Sequence, residues 1–172
     1  MQNKMIWFNR KFQFIQPPEM YPIVIERLRG TPARLEEKVA NVPPKALSLS
    51  ETGKWSVLEN IGHLVSCFDL WESRIIDFKN REKELHPADL KNARTKEADY
   101  NKYKLADLLK KYRSKQENLV REFENFSEDD VELTAHHPRL NMPMRLIDLA
   151  YFIAEHDDHH LACITDLIRK YS

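Results

Sequence analysis

The sequence predicts an all-α protein, an antiparallel bundle of three or four long helices. Three observations carry this expectation. Apolar residues recur at helical spacing over several long stretches. Glycine occurs only 3 times in 172 residues, so little interrupts those stretches. No segment alternates apolar and polar residues convincingly enough to read as a strand.

Residues 1 to about 20 mix aromatics with Pro17 and Pro18 and predict an irregular arm whose Trp7, Phe8, Phe12 and Phe14 pack on the body. The stretch YPIVIERLRGTPARLEEKVANV is helical in pattern, with Thr31 as an N-cap before Pro32 at a first helical position. It forms either one kinked helix or two short ones. A loop through VPPKALSLSETGKW leads to SVLENIGHLVSCFDLWESRIIDF, where Ser56 and Glu59 make a capping box. Ile61, Leu64, Val65, Phe68, Glu72 and Ile75 share one side of that helix. Residues 80–97 are highly charged around Pro87 and predict a solvated connection. Leu105, Leu108, Leu109, Tyr112, Leu119 and Phe123 mark a third long helix, and its many lysines and glutamates an exposed face. The segment SEDDVELTAHHPRLNMP reads as a loop, and MRLIDLAYFIAEHDDHHLACITDLIRKY as the last helix.

The length suits one domain spanning residues 1–172, with a sizeable core. Lysine plus arginine equals aspartate plus glutamate at 27 each, so no net field holds a polyanion and nucleic-acid binding is not expected. No apolar run is long enough for a bilayer, and the first twenty residues lack a signal-peptide core, which makes the cytoplasm the expected location and excludes a membrane partner. Cys67 and Cys163 are the only cysteines, and neither has a CxxC partner. They read as packing residues rather than a bridge.

The chemistry concentrates in EHDDHH, residues 155–160. His156 and His160 fall within the buried stripe of the last helix, Leu146, Leu149, Ile153, Ile164 and Leu167, and lie one turn apart. Two imidazoles so placed can reach one ion, and a metal satisfies both acceptors at once. His159 lies about 100° round the helix and does not share that alignment. A third ligand has to come from elsewhere, and His63 is the one histidine inside the second helix. Periodicity leaves two placements open for it, because His63 lies nearly opposite the Ile61/Val65/Phe68 stripe, with Glu59, Cys67 and Leu70. It faces solvent if that helix buries one side, and is a ligand if the Cys67 side is covered too. Three histidines on a d-block ion leave a position open for water or substrate, with Glu59 and Asp157 as acid-base candidates.

The segment GKWSVLENIGHLVSCFDLWESRI resembles the first signature of the DinB/YfiT-like superfamily, a Trp-Ser, a Glu and a Gly-His-Leu at the start of the second helix. LIDLAYFIAEHDDHHLACI resembles its second signature, a helix carrying His-x3-His. The resemblance covers roughly residues 20–170 as a helical pattern, with specific residues at the two motifs only. It implies a four-helix bundle in up-down-down-up order and a metal held by His63, His156 and His160, with no ligand role for His159. A divalent ion, zinc or nickel first, follows from it as cofactor. It further implies an enzyme that transfers a low-molecular-weight thiol or hydrolyses a small substrate, and a homodimer. The rival expectation is a non-enzymatic binding or scaffold protein with a structural metal site. A phosphohydrolase of the His-Asp type needs a later aspartate better placed than Asp166, and a di-iron bundle needs two Glu-x-x-His motifs that the sequence lacks.

Overall fold

The computed structural model describes residues 5–171. Helices α1 (Tyr21–Arg29) and α2 (Thr31–Val39) are followed by α3 (Val57–Lys79), the short α4 (Ala93–Glu97) and α5 (Leu105–Glu124). Strands β1 (Thr134–His137) and β2 (Met142–Arg145) form a hairpin that runs directly into α6 (Leu146–Tyr171).

Four layers make the bundle: α1 with α2, then α3, α5 and α6. Their directions follow from cross-helix pairs. Phe68 meets Tyr112, and Lys79 meets Glu122, so α3 and α5 run parallel. Arg27 pairs with Glu155 while Lys38 reaches Thr165, so α1/α2 and α6 are parallel as well. Trp71 packs on Phe152 and Asn60 bonds to His160, which makes α3 and α6 antiparallel. Tyr21 bonds to the Phe123 carbonyl and Gln116 to the Leu28 carbonyl, so α1 opposes α5. The order is up-down-down-up.

The sequence-marked stripes supply the core. Ile61, Leu64, Val65, Phe68 and Ile75 of α3 are buried, as are Leu108, Tyr112, Leu119 and Phe123 of α5 and Leu146, Leu149, Ile153 and Ile164 of α6. The capping box at α3 forms in full: Ser56 Oγ accepts from the Glu59 N–H at 3.1 Å, and the Glu59 carboxylate accepts from the Ser56 N–H at 2.8 Å.

Several elements differ from the sequence reading. The open choice between a kinked helix and two pieces resolves into two, with Gly30 as the cap of α2 rather than Thr31. Thr31 Oγ1 instead donates back to the Arg27 carbonyl, 3.1 Å away. The segment read as a loop after α5 contains the hairpin. Each strand is only 4 residues long, too short for an alternating pattern to stand out. Pro143 sits within it because its partner His136 turns its own N–H and C=O the other way, to Lys83 and Leu85. The connection at 80–97 is largely exposed, as expected, although Leu85 and Thr95 within it are buried. In the arm, Trp7, Phe12 and Phe14 pack on the core whereas Phe8 is 51% exposed.

One close approach fixes how the connection lies. A Cβ at Gly62 would run into the ring of Tyr100, which packs directly on the α3 backbone. Tyr100 and Ser66 share a hydrogen bond of 2.7 Å between their hydroxyls. The first half of α3 is consequently buried all round, from Val57 to Val65 apart from Glu59. No helix among the described residues is long and apolar enough to cross a membrane.

Candidate metal centre

The antiparallel pairing of α3 with α6 brings His63, His156 and His160 together. One ring nitrogen from each lies within 4.8 Å of the others, and all three residues are buried. His63 Nε2 stands 3.3 Å from His156 Nε2. Metal–nitrogen bonds of about 2.0–2.1 Å at the tetrahedral angle put two ligand atoms about 3.3 Å apart, so the spacing suits a shared ion.

Supporting hydrogen bonds set which nitrogens are available. Asn60 Nδ2 donates to the Ser56 carbonyl at 2.7 Å, which turns Oδ1 toward His160. His160 Nδ1 donates to that oxygen across 2.9 Å, leaving Nε2 as the unprotonated nitrogen. His63 Nδ1 lies 3.0 Å from Thr95 Oγ1, and with the hydroxyl as acceptor Nε2 is likewise free. His156 Nδ1 is buried without a hydrogen-bond partner, and the rings of Trp7 and Trp71 flank it at 5.0 and 5.7 Å.

Burial lowers the His63 pKa to about 4, with His159 adding to the effect, and holds His156 well below its ordinary range for the same reason. Both rings are thus neutral at neutral pH, the form a metal binds. His63 Nε2 and His156 Nε2, 3.3 Å apart, can share a neutral N–H···N hydrogen bond or, once that proton is lost, one cation. With imidazolium disfavoured, no positive ring charge opposes a divalent cation at this spacing.

The sequence model of the DinB superfamily matches residues 27–164, most of the chain. The chain belongs to the DinB superfamily. Among solved structures it is similar to YfiT from Bacillus subtilis, described as a probable metal-dependent hydrolase with an unusual four-helix bundle topology. The two share 22% identity at a TM-score of 0.75, over 94% of this chain and 93% of that one. The likeness establishes the YfiT-like bundle. No curated protein matches the chain.

In this DinB-superfamily bundle the three histidines line a cleft of about 1060 Å³. Neither carboxylate expected to do acid-base work lines it. Glu59 is engaged in the capping box. Asp157 faces the opposite way, into the core, where it accepts from Tyr112 Oη at 3.0 Å and burial pushes its pKa up to about 7. Asp158 points outward between α1 and α2, bonded to Arg27 and Arg34. His159 does line the cleft, its ring 5.6 Å from that of Trp7, so it is nearer the site than its helical angle suggested. Cys67 and Cys163 are unpaired and half-buried on the same wall, and Cys67 Sγ lies 3.4 Å from His63 Nε2. Burial pushes its thiol pKa up, with the Asp157 charge adding to it.

Asn60 and Thr95 were not singled out in the sequence. Asn60 had a signal, since it lies 3 residues before His63 on a neighbouring strip of the same helix. Thr95 had none, being one polar residue in a charged stretch.

Proposed function

We propose that this protein is a metal-dependent hydrolase of small molecules, with His63, His156 and His160 holding one divalent ion, zinc or nickel first. The observation that carries the proposal is the convergence of three buried imidazoles on the wall of an open cleft. Three protein ligands leave a coordination position for a reacting group, whereas a purely structural site closes all four. The ion would supply Lewis acidity, polarising an acceptor or lowering the pKa of a water or thiol. The chain does the rest. Asn60 and Thr95 hold two rings in one tautomer and orientation. Trp55 packs on His63 and His160, at 4.5 and 5.9 Å between ring centroids, and shields that side from solvent. The description of YfiT as a probable metal-dependent hydrolase supports the same reading.

Elemental analysis of the purified protein beside His63→Ala and His156→Ala tests the site. Metal in the parent and loss in both variants is expected; unchanged content in both overturns it. A panel of esters and amides then tests the reaction. Turnover only with a thiol and an electrophilic acceptor would assign the protein as a thiol transferase instead. Silence in both panels with metal retained would leave a binding or scaffold protein.

A further inference from the structure

Beyond the three histidines, the same cleft carries a second group of side chains: Arg74 of α3, His137 at the end of β1, and Arg139 in the hairpin turn. Arg74 is 1% exposed and His137 is 1% exposed, while Arg139 is half-buried. Arg74 Nη2, Arg139 Nη2 and His137 Nε2 are all buried without a hydrogen-bond partner.

All three atoms are donors. The guanidinium nitrogens can be nothing else. His137 Nδ1 accepts from the Leu140 N–H at 3.2 Å, so its proton sits on Nε2. Buried polar groups are almost always satisfied, and three unsatisfied donors lining one cleft call for an acceptor that the chain does not provide.

The charges are likewise only partly compensated. Arg74 Nε is spent on the His86 carbonyl at 3.0 Å, and neither arginine makes an ion pair among the described residues. Asp77, the carboxylate that acts on Arg74, gives both oxygens to His86, at 2.7 and 2.6 Å. Asp77 does not line the cleft; of the carboxylates that do, Glu51 is paired with Lys54 and Lys170, Asp69 with Arg94, and Asp166 stands ten residues beyond His156 on α6. Asp89 accepts from the N–H groups of Lys91 and Ala93. Aromatic faces position the two cations instead: Trp71 beneath Arg74 at 5.7 Å, Phe8 and Phe152 beneath Arg139 at 5.5 and 5.7 Å. Burial and the Arg139 charge lower the Arg74 pKa to about 10, so both guanidiniums remain charged at neutral pH.

We propose that Arg74, His137 and Arg139 form a receptor for a carboxylate or phosphoryl group of the substrate, beside the three histidines. Trp71 contacts both groups, the Arg74 guanidinium at 5.7 Å and the His156 ring at 5.7 Å. An anion here would accept from three donors and offset the buried Arg74 charge and the half-buried Arg139 charge. Its assignment to the substrate rests on the hydrolase reading; the anion site itself does not.

Sodium acetate and inorganic phosphate, titrated separately into the full-length protein against chloride at matched ionic strength, test the site. The readouts are the arginine side-chain nitrogen resonances and the thermal midpoint. A saturable response to at least one anion is expected, and the stronger arm identifies carboxylate or phosphate. Arg139→Gln should weaken it about tenfold or more, and Arg74→Lys, which keeps charge in a buried position, should weaken it while remaining folded. Responses that match chloride mean that water satisfies the donors and overturn the proposal. So does wild-type affinity in Arg139→Gln, which would place the anion elsewhere. Saturable binding without any turnover keeps the receptor and counts against the hydrolase reading. If an ester substrate is found, Arg139→Gln should raise KM for an anionic ester about tenfold and leave that for a neutral ester unchanged.

Discussion

His160 Nδ1 meets Asn60 Oδ1 at 2.9 Å across a sequence separation of 100 residues, tying the far end of the chain to the first turn of α3. The bond fixes a ligand's tautomer from outside the metal's reach. Asn60→Leu should lower metal affinity about 10–100-fold, as removal of such supporting partners does elsewhere, with helical content retained. Asn60→Asp, which keeps the acceptor, should lose much less. A competition titration against a coloured chelator measures both, and equal affinity in Asn60→Leu and the parent would remove the supporting role.

Gly62 tests how the crossover is seated. An alanine there forces its methyl into the Tyr100 ring, and the ring can move only by lifting the segment that follows α4. Gly62→Ala should therefore destabilise the fold by about 1–3 kcal/mol, the usual range for overpacking. Urea unfolding measures it. An unchanged midpoint would mean that Tyr100 yields freely.

His137 makes stability depend on pH. Burial, then the charges of Arg74 and Arg139, lower its pKa from the ordinary 6.5 to about 3. Its folded pKa is depressed, so its contribution is fully present above pH 6.5 and is lost as pH falls toward 3. Between pH 7 and pH 5.5 this one residue should cost about 1 kcal/mol. His137→Gln should flatten the stability profile by that amount, measured by urea unfolding without added oxyanions. Parallel profiles would show that the ring protonates while folded.

Trp7 closes one side of His156, with its ring 5.0 Å away, and also touches Phe152 and His159. Trp7→Ala should speed extraction of metal by a chelator severalfold while leaving equilibrium affinity nearly unchanged. Stopped-flow chelation separates the two. The same extraction rate in both proteins would confine the arm to packing.

The bundle was legible because its helices announce themselves locally: the Ser56–Glu59 box, the stripe from Ile61 to Ile75 and the stripe from Leu146 to Ile164 need no distant information. The pairing of His156 with His160 followed from one helical turn. The placement of His63 did not. Its helix is buried on two sides because Tyr100 and Thr95 return to cover it, and no periodicity within α3 records that return. The carboxylates Glu59 and Asp157 attracted attention by residue type, but one closes a cap and the other packs against Tyr112. The hairpin escaped for a different reason. Its first strand is held by Lys83 and Leu85 as well as by the second strand, a pairing invisible at the range of a turn.

The parallel alignment of α3 and α5 obliges residues 80–104 to travel back along the bundle before α5 can begin. That return delivers Thr95 to the rear of His63 and lays Tyr100 over Gly62, so the crossover works as a clasp. A protease cut between 86 and 92 would sever no ligand and no bundle helix, yet it would free the clasp. The centre would then slacken from behind while every histidine stayed on its helix.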